Sequence, residues 1–223
     1  MANKNYRIFE RVRVAILLAF ISGFVDAYTF VTQGQRFAGM QTGNMIYLMK
    51  NLAEGKLGIA ASYLLPLFAF TLGSLLTYFV RKFAVGRKHL RWHALAGLII
   101  FVGILYTAIA APYLTSQWTV LSLSFIAAVQ LESFRKMRGA PYTNTMMTGN
   151  LKNMTVLISQ GLFEKNRETL KRGFYVSLVI AGFCLGVFLS TVLSLHFHQR
   201  ALYAILPVVF GFNVVLYREK IAR

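Results

Sequence analysis

The chain has 223 residues, of which 57% are hydrophobic and only 14% charged, against roughly a quarter charged in an ordinary soluble domain. Its formal net charge is +17, but the basic residues sit between long apolar runs and do not gather into a basic domain. This excludes an ordinary soluble fold and removes the reason to expect nucleic acid as a partner. A single cysteine, Cys184, excludes an intrachain disulfide, and inside its apolar run it reads as a small packing residue.

A helix needs about 20 mainly apolar residues to cross the hydrocarbon core. The first such run, 14–32, contains Asp26 about three residues outside its midpoint. A carboxyl at that depth costs a few kcal/mol on insertion scales, so it must face the protein interior. Segment 37–52 follows, too short to cross comfortably and too apolar for a free loop; it predicts a short re-entrant or interfacial helix. The second run, 59–80, contains Pro66, expected to kink it. The third, 92–111, and fourth, 118–134, begin at Trp92 and Trp118, placed as interfacial anchors. The fourth also carries Gln130 and Glu132, with Arg135 and Lys136 in reach for a local ion pair.

Segment 143–160 predicts a second short helix. Runs 174–195 and 201–217 complete six spans, the last holding Pro207. Gly73, Gly182 and Gly186 are candidates for close helix contacts. His89, His93, His196 and His198 lack the further ligands of a metal site and read as span-end residues. No metal or cofactor is expected. No nucleophile–base set is recognisable, so catalysis is not expected either.

The loops orient the chain. With the N-terminus in the cytoplasm, 20 of the 24 basic residues fall in cytoplasmic segments, including Lys4, Arg87, Lys88, Lys220 and Arg223. Only Arg36, Lys50, Lys56 and Arg200 fall outside. The +17 charge then faces an anionic leaflet.

A duplication lies beneath this layout. Thr42, Gly43 and Asn44 recur 106 residues later as Thr148, Gly149 and Asn150. The same shift carries Asp26 onto Glu132, so each carboxylate precedes its TGN threonine by 16 residues. Beyond a longer connection in the second copy, "EKNRETLKR", the pair Leu72–Gly73 falls on Leu185–Gly186. Ordered matches favour duplication over chance. Each copy, 14–111 and 118–217, holds three spans, an odd number, so the copies enter the membrane from opposite sides. This is the inverted-repeat arrangement of many secondary transporters.

The expected fold is therefore an all-α membrane protein forming one membrane domain. It has six transmembrane helices in two inverted three-helix repeats, each with a short helix carrying TGN. The TGN residues are candidate substrate ligands: Thr and Asn donate and accept hydrogen bonds without fixed charge, and Gly admits close backbone approach. Helix capping and packing explain them equally well. Asp26 and Glu132 are candidates for proton or cation coupling, and Gln130 and Asn144 for lining a cavity.

The stretches "GFVDAYTF" at 23–30, "FAGMQTGNMIYL" at 37–48 and "MMTGN" at 146–150 resemble the YoaK-like family of small bacterial membrane proteins of unknown function. The resemblance covers nearly the whole chain. It implies a multi-span protein of the bacterial inner membrane and supplies no activity. The leading functional expectation is a small-solute transporter or permease. A non-transporting scaffold or lipid-binding protein is the alternative. Expected partners are the lipid bilayer and an unidentified small solute, and a thin six-span bundle suits a homodimer. Reporter fusions test the orientation: those after Arg87 and at the C-terminus should read cytoplasmic, and one near Gly34 external. An external reading at Arg87 contradicts the six-span layout.

Overall fold

The computed structural model describes residues 6–85 and 91–218. His89 and the charges at Lys4, Arg87, Lys88, Lys220 and Arg223 lie outside the described residues. The element order is a 3-10 turn Ile8–Glu10, α1 Val12–Thr32, α2 Gln41–Ala53, α3 Leu57–Ser62, α4 Leu64–Val85, α5 Trp92–Ala110 and α6 Ser116–Ser133. A two-residue hairpin follows, β1 Lys136–Met137 and β2 Ala140–Pro141, turned at Arg138 and Gly139 with positive φ. Then come α7 Met147–Phe163, α8 Arg167–Phe197, a 3-10 segment His198–Ile205 and α9 Leu206–Tyr217.

Four stretches of the described residues are long and apolar enough to cross a membrane: Val12–Thr32, Leu57–Phe83, Trp92–Ala110 and the 51-residue Arg167–Tyr217. The last holds both expected spans 174–195 and 201–217, divided at His198, whose φ of 49° and ψ of −126° break α8. The expected span 118–134 corresponds to α6, which is not among the four. Gln117, Gln130, Glu132 and four serines dilute its apolar content, and it survives as an interior helix packed on α4 and α5.

Helix α1 is the centre. Of its apolar window 72% is buried, against 28–33% for the other three stretches, which leave most of their apolar surface facing outward. Helices in lipid gain little from hiding apolar surface, so close backbone approach at small residues must hold them. Gly23, Gly182 and Gly186 provide it between α1 and α8. A Cβ on Gly23 would collide with the Phe183 carbonyl, one on Gly186 with the Phe20 carbonyl, and one on Gly182 would lie 3.0 Å from the Ile16 carbonyl. Ile16 meets Gly182 and Phe20 meets Gly186, so α1 and α8 run parallel. Gly73 does the same between α4 and α6, where a Cβ would sit 2.9 Å from the Phe125 carbonyl. Helix α5 packs on α9, with Arg91 donating to the carbonyls of Leu216 and Tyr217, both at 3.1 Å.

Several expectations need correction. Trp92 is buried at 5% exposure and is no lipid anchor, whereas Trp118 is exposed. Cys184 is exposed on α8, because Gly182 and Gly186 occupy the packed face. Pro66 and Pro207 do not kink mid-helix; each stands in the first turn of its helix, α4 and α9, where a missing N–H costs nothing. The break at Tyr63 leaves α3 as a separate short helix.

Gly186→Ala should cost about 1–3 kcal/mol, because the obstacle is backbone rather than a movable side chain. Gly211→Ala, where the added Cβ meets nothing within 4 Å, should change little. Melting in detergent compares the two. Equal melting temperatures would remove the α1–α8 backbone contact as a stabilising feature.

Candidate functional site

Two chain reversals, 33–40 after α1 and 134–146 after α6, approach each other beside α1. Asp26 organises the meeting. Its side chain is 2% exposed. Oδ1 accepts from the Gly39 amide at 2.6 Å and the Met40 amide at 3.4 Å, tying the start of α2 back to α1. Oδ2 has no hydrogen-bond partner and makes no ion pair among the described residues. Gly39 permits this approach: a Cβ there would lie 3.2 Å from Oδ2 and 3.6 Å from the Thr145 methyl. Residues 39 and 145 are related by the 106-residue shift, so corresponding points of the two reversals touch at Asp26. Thr145 is 3% exposed and its hydroxyl is also unpartnered.

Gln130 closes the other side. Its Nε2, with two hydrogens to donate, lies 3.0 Å from the Leu18 carbonyl, 2.7 Å from the Ser22 hydroxyl and 3.3 Å from Asn144 Oδ1, bridging α6 to α1. Asn144 Nδ2 donates to the Phe134 carbonyl at 3.0 Å. Between these groups lies a cavity of about 10 Å³, counted as space for the centre of a water-sized molecule. Ser22, Asp26, Gly39, Gln130 and Thr145 form its polar side; Ile21, Val25, Ile104, Leu123, Ile126 and Ala127 form the rest. That volume suits one water or an ion of similar size.

The TGN elements lie elsewhere. Each occupies the first turn of its short helix, one residue after the first helical position. Asn44 Nδ2 donates to the Phe37 carbonyl at 2.8 Å and its Oδ1 accepts from the Phe37 amide at 2.9 Å. Asn150 Nδ2 donates to the Thr143 carbonyl at 2.7 Å. Both asparagines are buried and staple the backbone seven residues upstream. Each also donates to the residue three before it, Gln41 Oε1 or Met147 Sδ. Gly43 lets the Phe37 ring lie against α2, while Gly149 faces open space. Thr42 and Thr148 are exposed. None of the six lines the cavity.

Glu132 also points away. It pairs with Arg135, and Arg81 donates to its carbonyl at 3.3 Å. The structure thus brings together Asp26 and Gln130, with Asn144 behind Gln130, and leaves Glu132 and the TGN tripeptides outside. Gly39 and Ser22 were not singled out from the sequence. Gly39 stands three residues before Thr42, as Thr145 stands three before Thr148, and that register was the available signal. Among the described residues no group of His, Cys, Asp and Glu could hold a metal.

A buried carboxyl at a crossing of two broken segments defines an all-α membrane protein with an interior polar site. Residues 14–215 match the protein family of unknown function DUF1275, and the chain belongs to it. It is 24% identical over 205 residues to the UPF0700 transmembrane protein YoaK of Bacillus subtilis (strain 168), covering 87% of this chain and 89% of that one. No solved structure matches it.

Asn44→Ala and Asn150→Ala should each cost about 1–3 kcal/mol, the range for leaving a buried backbone group unpaired. Thr42→Ala and Thr148→Ala should melt like the parent. If the threonine variants prove the more damaging, the staples do not account for the motif.

Proposed function

We propose that the protein is a small secondary transporter or permease of the bacterial inner membrane, with both termini cytoplasmic and no catalytic activity. Its two halves, 14–111 and 118–217, form inverted repeats. Several correspondences support the duplication: the seven-residue asparagine staples, the glycine contacts of α1 with α8 and α6 with α4, and the contact of residues 39 and 145. The reading counts α6 as a span shielded from lipid by its neighbours, and α9 with the preceding 3-10 segment as the sixth.

One observation carries the functional reading. Asp26 is buried where the two halves meet, one of its oxygens is unpartnered, and Thr145, whose hydroxyl is also unpartnered, lines the same cavity. A charge kept at such depth without a partner is expensive, and intramembrane carboxyls of this kind mark ion and proton pathways. In this reading Asp26 binds and releases a proton as the reversal 33–40 moves, and Gln130, Thr145 and Ser22 line the passage. The TGN elements hold the two reversals in shape. The small cavity corresponds to a closed conformation, and solute enters when the halves rock apart.

The cavity volume also favours a second reading, a non-transporting scaffold, because a packed bundle with room for one water needs no solute. The test is proton-coupled flux in proteoliposomes. Asp26→Asn keeps an acceptor for the Gly39 amide but cannot ionise. It should insert and melt nearly as the parent does and lose coupled movement. Glu132→Gln should retain it. A variant that melts far below the parent makes Asp26 a structural partner; normal flux with unchanged pH dependence removes it as the coupling group.

A further inference from the structure

The hairpin of α7 and α8 carries a feature the central cavity does not explain. Gly161 and Gly173 bring the two helices together: a Cβ on Gly161 would meet the Leu170 backbone and one on Gly173 the Ile158 backbone, the latter at 3.0 Å. Beside this contact runs an open groove of about 440 Å³ lined by Ile158, Arg167, Leu170, Lys171 and Phe174. Positions 167, 170, 171 and 174 share one face of α8 by helical spacing. The floor is apolar and the rim holds two cations one turn apart.

Those cations are unspent. Among the described residues neither Arg167 nor Lys171 makes an ion pair, whereas their neighbour Arg172 reaches Glu168 at 3.9 Å. The groove sits where α8 changes from "RETLKR" to the continuous apolar run beginning at Phe174. Phe174 is 58% exposed, and Leu162 and Phe163 at the hairpin tip are 63% and 95% exposed. Charged rim, apolar floor and exposed aromatics at one end of a spanning helix match the layers of a leaflet, with headgroup phosphates above and acyl chains below.

We propose that this groove binds one anionic glycerophospholipid, its phosphate on Arg167 and Lys171 and one acyl chain along Ile158 and Phe174. The site is independent of the transport reading, and its failure would leave that reading untouched.

The test uses the full chain in neutral phosphatidylcholine nanodiscs titrated with phosphatidylglycerol, read by melting temperature and by native mass spectrometry. Phosphatidylglycerol should raise the melting temperature and remain bound as one lipid. The double variant Arg167→Gln/Lys171→Gln alters only exposed side chains, so its melting in pure phosphatidylcholine should match the parent. Its affinity for phosphatidylglycerol should fall about 25-fold, since each interfacial cation contributes about fivefold. The control Lys136→Gln/Lys152→Gln removes the same charge outside the groove and should keep parental affinity. Equal loss in both double variants would mean diffuse attraction and overturn the site. Equal stabilisation by glycerol 3-phosphate would mean a free phosphoanion and overturn the lipid.

Discussion

Backbone that leaves helical form inside a membrane protein must find partners for its N–H and C=O groups, because the surroundings supply none. Among the described residues the reversals 33–40 and 134–146 are two such places, and four buried polar side chains are spent on them. Asn44 serves Phe37, Asp26 serves Gly39 and Met40, Asn150 serves Thr143, and Asn144 serves Phe134. A chain this apolar carries the same polar tripeptide twice because the same problem arises twice and has the same solution. The central cavity exists because the two solved loops then press against one face of α1.

The two reversals meet this demand in different ways. In the first, a carboxylate from α1 secures the loop. At the second, Glu132, 106 residues after Asp26, turns to Arg135, the last turn of α6 gives way to a hairpin, and Gln130 and Asn144 do the securing with neutral groups. One ionisable group therefore remains at the crossing. Two facing carboxylates would repel when charged; one carboxyl beside hydroxyl and amide groups can change its protonation without opposing a twin. The asymmetry is what makes Asp26 a coupling candidate and leaves Glu132 an ordinary ion pair.

Much of this arrangement could be read from the residues. Long apolar runs located α1, α5 and α8 because hydrophobicity in lipid is a property of composition alone. Gly73, Gly182 and Gly186 were legible as contact residues because close backbone approach leaves glycine almost alone able to occupy such points. The site was half legible. Asp26 stood out by its cost, but the direction in which Asn44 and Asn150 point depends on tertiary folding of the preceding loop, and no periodicity records that. Trp92 and Cys184 went the other way for a similar reason: composition says that a residue is apolar or small, while the helix's rotation, set by its neighbours, decides which way it faces. The interior character of α6 was hidden because packing against other helices lets a helix carry serines and glutamines that lipid would reject.

The parallel contact of α1 with α8 has a consequence for how the protein is made. Ribosomes deliver α1 first, and its glycine-bearing face, with Asp26 close by, has no permanent neighbour until α8 follows near the end of the chain. Until α8 emerges, the Gly23 face of α1 must be covered by something other than its final partner. Truncation within α8 would leave the Gly23 face of α1 without the backbone it packs against in the finished protein.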